Sequence, residues 1–195
     1  MYRGVTSLVL DRSIDPTDVA AVMVLAQSVT FSFPTLATAL EVNPPLLADG
    51  VDITDRLRTS VVDRNVSLIS SYGEVRRLMV AQQRRIRQEH ATVMVGRDIG
   101  TVVAPDADVK IYLSASVEDR ARRRFGEQRS AGLETSYEAT LADLKRRDKL
   151  DTERPLSPLR PAENAVMVDT TGYELDRAVD LVLGIVRERL AEKTP

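Results

Sequence analysis

Apolar positions recur along this chain with two periods, and the alternation between them sketches the elements. Over 74–89, Val75, Leu78, Met79, Gln82 and Ile86 fall three and four residues apart, the spacing of one helix face. Arg76, Arg77, Arg84 and Arg87 fall on the opposite face. Another helix is predicted over 58–70. Asp15-Pro16-Thr17-Asp18 reads as a helix start ahead of the mostly apolar run 19–27: Asp15 caps orphan amides, Pro16 takes the first helical position and Asp18 favours the dipole. Between these helices the period shortens to two. Residues 29–33 alternate like a strand, and Leu46-Leu47-Ala48, Asp49-Gly50, Val51-Asp52-Ile53 reads as a hairpin with an Asp-Gly turn. The two pieces form a small antiparallel insert, with an irregular connection at Pro44-Pro45.

The second half predicts strands over 92–95, 109–113 and 165–168, alternating with helices over 117–131, 136–150 and 175–192. Strands separated by helices imply a parallel sheet, so the fold class is α/β. Ser116, three residues before Asp119, is a capping signal, and Gly132 is a helix stop. At 195 residues the chain suits one compact domain.

Composition narrows the function classes. Hydrophobic residues at 43% and charged residues at 29% are ordinary globular usage, and aromatics at 4% without Trp imply an aliphatic core. The net charge of −2 lacks the basic imbalance of a nonspecific nucleic-acid binder. Acids interleave the arginine runs and stacking aromatics are scarce, so binding of a nucleic-acid polymer is disfavoured. Among the 27 basic residues only Lys110, Lys145, Lys149 and Lys193 are lysines, and the remainder are arginine, the better planar phosphate fork. Genomic base composition explains that excess equally well. With no Cys there is neither a disulfide framework nor a zinc-thiolate site, which suits a reducing cytoplasm. His90, the single histidine, reads as a solvated surface residue, and no metal site is expected. No apolar run approaches the ~18 residues of a membrane helix, and no signal peptide opens the chain.

The chemistry concentrates at Gly96-Arg97-Asp98-Ile99-Gly100, which follows the apolar run Val93-Met94-Val95. Open α/β sheets bind ligands where their strands end. An Arg there forks onto phosphate, and a neighbouring Asp accepts from an exocyclic amine such as cytosine N4, so the pair suggests a nucleotide. Satisfaction of local backbone groups is the competing reading. A second constellation, Lys145-Arg146-Arg147-Asp148 with Asp151 and Arg154, fits a flap closing over polyphosphate; against it stands a solvated helix of ordinary ion pairs. Arg120, Arg122, Arg123 and Arg124 carry the same ambiguity. Nowhere does a GxxxxGK[ST] phosphate loop occur.

In this order the segments resemble the bacterial cytidylate kinases of the nucleoside monophosphate kinase family, over nearly the whole chain. The resemblance rests on Met1-Tyr2-Arg3-Gly4-Val5-Thr6, Asp49-Gly50-Val51-Asp52-Ile53-Thr54, Arg58-Thr59, Val66-Ser67-Leu68-Ile69-Ser70, Val75-Arg76 and the GRDIGTVV segment at 96–103. It continues through Asp106 to Leu113, Arg147-Asp148 to Arg154, Ser157-Pro158-Leu159 and Asp169-Thr170-Thr171. It implies a P-loop NTPase-like parallel sheet core with helices on both faces, an NMP-binding insert over 29–64 and a flap, or LID, over 120–155. The implied reaction is ATP-dependent phosphorylation of CMP and dCMP with Mg²⁺ by a cytoplasmic monomer. By the same resemblance Ser67, Arg76 and Asp98 read the cytosine, and Arg3 and Arg97 hold the acceptor phosphate. Arg147, Asp151 and Arg154 serve near phosphate and sugar, with Arg147 and Arg154 as the catalytic pair, while Arg120 and Arg124 are weaker candidates for the ATP side.

Two departures from the family pattern stand out. Gly73 occupies a position where the family commonly has Pro. Family members also carry, before the position matched by Met1, a strand, a Gly-rich phosphate loop, a helix and a second strand. The expectation is therefore an N-terminally shortened kinase of impaired activity whose sheet is left with a gap, or alternatively an inactive CMP-binding remnant.

Overall fold

A computed structural model describes residues 1–34, 45–89 and 91–192. His90 and Pro44 lie outside the described residues. The chain divides into two compact units, Met1–Val93 and Met94–Pro195.

The first unit is built around an aliphatic core. Helix α1 (Tyr2–Asp11), a segment for which the hydrophobic pattern gave no assignment, buries Val5 and Val9 along with the small residues Gly4, Thr6 and Ser7. Helix α2 (Val19–Ser28) starts three residues beyond the expected position. Asp15 is spent on an Asx turn, accepting from Thr17 N and Oγ1 at 2.8 Å each, and Asp18 is the cap, accepting from Ala21 N at 3.0 Å. The hairpin forms as expected from β2 (Leu47–Ala48) and β3 (Val51–Asp52). Asp49 and Gly50 have φ of 49° and 84°, the two positive values that a type I′ turn demands. Strand β1 (Phe31–Ser32) pairs antiparallel with β2 in the register Phe31 to Ala48.

Helix α3 (Ser60–Ile69) is capped by Thr59, and helix α4 spans Gly73–Glu89. On the apolar face of α4, Val75 and Met79 are buried with Phe31, Ile53 and Ile69. The one amide on that face, Gln82, behaves as a surrogate peptide: its Oε1 accepts from Phe31 N at 2.9 Å and its Nε2 donates to Val29 O at 3.0 Å. A polar side chain is tolerated there because both ends are satisfied by β1 and the residues before it.

The second unit carries the parallel sheet, reduced to β4 (Ile111–Ser114) beside β5 (Val166–Asp169), in the register Ile111 to Val166. The crossover runs through α5 (Val117–Ser130) and α6 (Tyr137–Glu153), and α7 (Leu175–Ala191) follows β5. Gly132 ends α5 in a Schellman motif, donating to Arg129 O at 3.0 Å while Leu133 N reaches Gln128 O at 3.0 Å. At the other end Ser116 Oγ accepts from Asp119 N at 3.2 Å, but the reciprocal half of a capping box is absent, because Ser116 N donates instead to Thr171 Oγ1 at 2.8 Å. No helix among the described residues is long and apolar enough to cross a membrane.

The strand expected over 92–95 does not form. A strand persists only where its N–H and C=O groups find a ladder, and the described residues offer this segment none. Val93 and Val95 are 97% and 94% exposed.

Candidate functional site

In the first unit α1 positions Arg3, whose Nη1 donates to Leu57 O at 2.8 Å and whose Nη2 reaches Asp63 Oδ1 at 2.5 Å. The guanidinium is thereby fixed by the start of α3 and the loop before it. Arg76 departs from its expected place on the solvated face of α4. It is 4% exposed, its Nη1 donates to Ser70 O at 2.9 Å, and its guanidinium lies 4.9 Å from the centroid of the Tyr2 ring. A cation taken out of water needs such partners, here a carbonyl at the end of α3 and a π face. Ser67 is half-buried on α3, three residues before that carbonyl.

In the second unit the segment after Val95 turns through Arg97 and Asp98 into a π-helical turn over Ile99–Val103. The backbone carbonyl of Asp98 accepts from Val102 N at 2.9 Å, Val103 N at 3.3 Å and Thr101 Oγ1 at 3.3 Å. Wide turns of this kind recur at functional sites. Asp98 itself is 5% exposed.

Around Arg97 the structure gathers an alternating chain of cations and anions. Arg97 Nη1 is hydrogen-bonded to Asp151 Oδ2 and lies 3.8 Å from Asp148 Oδ1. The other oxygen of Asp151 accepts from Arg154 Nη1 at 3.1 Å, and the other oxygen of Asp148 accepts from Arg120 Nη2 at 2.7 Å. Arg120 is pinned a second time by Ala115 O, 3.1 Å from its Nε. Arg154 Nε donates at 2.6 Å to the carbonyl of Ser157, a residue with φ of 52°. Leu159 N donates to Asp151 O at 2.8 Å, so the Ser157-Pro158-Leu159 segment folds back on the end of α6. Arg147 is half-buried on α6, one turn before Asp151.

Asp148 and Asp151 thus each bridge two guanidiniums, in a partly desolvated row of arginines whose forks suit a phosphate. The second unit therefore brings together Arg97, Arg120, Asp151 and Arg154. Arg124 pairs along its own helix with Glu127, 3.1 Å away. A depression of about 500 Å³ on α5, lined by Arg122, Phe125, Gly126, Arg129 and Ser130, includes none of these residues.

In the first unit one carboxylate, Asp63, escaped the sequence reading, and in the second Asp148 was named in the flap constellation without a role of its own. Asp63 gave no local signal, since its partner lies sixty residues away. Asp148 had a local signal: it stands three residues before Asp151 on α6, the spacing of neighbours on one helix face, and Asp151 stands three before Arg154, the residue that ends the helix.

The cytidylate kinase family profile matches residues 1–188. The chain belongs to the cytidylate kinase family. It is 44% identical to the cytidylate kinase of Rhodococcus jostii over 190 residues, 97% of this chain and 81% of that protein. It is 43% identical to that of Corynebacterium glutamicum over 195 residues, all of this chain and 83% of the relative. With that of Bacillus licheniformis it shares 39% over 189 residues, 97% of this chain and 82% of the relative. Family membership makes the chain a kinase, a transferase with a nucleotide site, and its α/β architecture with a parallel sheet is consistent with the nucleoside monophosphate kinases.

No group of three or more ligating side chains that could hold a metal ion occurs among the described residues. Mg²⁺ in phosphoryl transfer is held by few protein oxygens, the substrate phosphates and water supplying the rest.

Proposed function

We propose that this member of the cytidylate kinase family transfers the γ-phosphoryl group of ATP to CMP and dCMP, and that the arginine and aspartate residues described above divide the work. The observation carrying this reading is the Arg97 cluster: a guanidinium adjacent in sequence to a buried acid, linked through Asp151 and Asp148 to the guanidiniums of Arg154 and Arg120.

Asp98 accepts from the N4 amine of cytosine, while Ser67 and Arg76 donate to the ring O2 and N3 acceptors. Arg3 and Arg97 hold the acceptor phosphate. An oxygen of that phosphate attacks the γ-phosphorus in line; the new O–P bond forms as the bond to the β-phosphate oxygen breaks, and ADP leaves. Arg147 and Arg154 neutralise charge on the transferred group, and Asp151, when it yields Arg97 to the phosphate, is available to a sugar hydroxyl. Arg120 serves the donor side, and Arg124 is a weaker donor-side candidate held by Glu127. No step here is routed through a metal.

A coupled assay for ADP release with CMP, dCMP and UMP tests the reading, alongside calorimetry with CMP. Turnover that prefers CMP to UMP, and a preference lost in Asp98→Ala, are expected, because the O4 of uracil does not donate. CMP binding without ADP release would instead make the chain a nucleotide-binding protein. Unchanged discrimination in Asp98→Ala would remove Asp98 from the base site.

A further inference from the structure

Between the arginine assigned to the acceptor phosphate and the arginine assigned to the donor side stands an aspartate that the proposed reaction does not use. Asp148 touches both: Oδ2 is 2.7 Å from Arg120 Nη2 and Oδ1 is 3.8 Å from Arg97 Nη1. The two contacts differ in kind. Arg97 is already bonded to Asp151, so Asp148 adds only charge there. For Arg120, by contrast, Asp148 is one of two acceptors, the other being Ala115 O at 3.1 Å from Nε. A guanidinium is planar, so acceptors on Nε and Nη2 fix both its position and its plane, and the Nη1 amino group is left uncommitted among the described residues. With Ala115 alone the plane is free to swing.

A carboxylate in a place that must admit phosphates works against them electrostatically. Its contribution must therefore come through the groups it holds. We infer that Asp148 is a positioning residue for phosphoryl transfer: by bonding Arg120 beside Arg97 it keeps a donor-side and an acceptor-side guanidinium in one fixed arrangement. The inference rests on the kinase reading above. It differs from a bland surface ion pair, which leaves catalysis unmoved, and from a simple charge neutraliser, whose loss tightens nucleotide binding.

The experiment compares the full-length chain with Asp148→Ala, Asp148→Asn, Arg120→Ala and the double variant Asp148→Ala with Arg120→Ala, measuring kcat and KM for CMP and ATP with Mg²⁺ and the thermal midpoint of each. Misplacement of a reacting group by about an ångström lowers rates up to about a hundredfold, so Asp148→Ala should lose at least about tenfold in kcat while KM for CMP shifts much less. Asp148→Asn keeps an oxygen to accept from Arg120 and the shape of the side chain, and should recover part of that loss. The double variant should be no worse than Arg120→Ala alone. Unchanged kcat in Asp148→Ala, tighter KM for both nucleotides in Asp148→Ala and Asp148→Asn, or additive losses in the double variant each overturn the inference and leave the kinase reading intact. Absence of ADP release from the wild-type chain overturns the kinase reading, and this inference with it.

Discussion

The two units are held in order by different physics. In Met1–Val93 the buried side chains are apolar and interlocked, from Val5 and Val9 on α1 through Leu25, Phe31 and Ile53 to Val75 and Met79 on α4. In Met94–Pro195 only Val103, Ala104, Ala121 and Val168 are buried apolar residues among those described, and α7 buries none of its side chains. What fixes the second unit is polar: the Arg97 chain of ion pairs, and Arg123, whose Nη2 joins Asp119 Oδ2 at 2.5 Å to the carbonyl of Thr170 at 2.7 Å. The comparison teaches where site precision comes from in each. A dry core fixes Arg76 by enclosing it, whereas Arg97 is fixed by the carboxylates of Asp151 and Asp148.

The largest effect expected from this contrast is in the core. Met79→Ala removes a fully buried side chain and leaves a cavity, costing about 2–5 kcal/mol of stability. Leu183→Ala on α7, where the side chain is 43% exposed, should cost under about 1 kcal/mol. Chemical denaturation of both variants checks the pair, and equal losses would break the comparison.

Asp151→Ala comes next. It strips the shared counter-charge from Arg97 and from the buried Arg154, and loss of one partner from such a pair costs about 3 kcal/mol. Because Asp151 and Arg154 are shielded from solvent, the loss should change little between low and high salt, while the exposed pair Arg146 to Asp143 contributes nothing measurable at high salt. Denaturation at two ionic strengths reads this directly.

A smaller effect tests packing in the first unit. A Cβ added at Gly4 would sit 2.6 Å from Phe31 Cε1, so Gly4→Ala forces the ring aside and should destabilise by about 1–3 kcal/mol, despite alanine's better helix propensity. A gain in thermal midpoint would show that the ring moves freely.

Much of this organisation was legible in the chain itself. The helix face of α4, the Ser116 cap of α5, the Asp-Gly hairpin and the Gly132 stop are local signals, each set by residues within a turn or two. The family motifs also brought Arg97, Asp98, Asp151 and Arg154 into view. What stayed hidden depends on distant partners. The run at 93–95 looks like a strand, but its ladder is not encoded in the run. Arg76 follows the period of a solvated face, yet Tyr2 and Ser70 draw it inward. Helix α1 buries Gly4, Thr6 and Ser7 beside its valines, and these small polar residues erase the period that marks a helix.

The smallest prediction concerns a single proton at the end of β5. Asp169 accepts from Thr171 Oγ1 at 2.6 Å and Thr171 N at 2.9 Å, and these bonds, the side-chain one foremost, hold its carboxyl below the usual carboxylate range. A carboxylate whose folded pKa is lowered stabilises the fold above its unfolded value of about 3.9, and that contribution disappears as pH falls through the lowered value. Thr171→Val removes the hydroxyl, so the Asp169 titration should move up toward the ordinary value, whereas Thr171→Ser keeps the hydroxyl and should leave it low. Carbon-detected NMR of the Asp169 carboxyl from pH 2 to 6 follows both. Thr171 Oγ1 also accepts from Ser116 N, so Thr171→Val loses a second bond whose contribution does not depend on pH in this range. The stability difference from wild type should therefore narrow on acidification without vanishing. A difference constant across that range would place the whole effect at Ser116, and the start of α5, not the acid, would be what Thr171 secures.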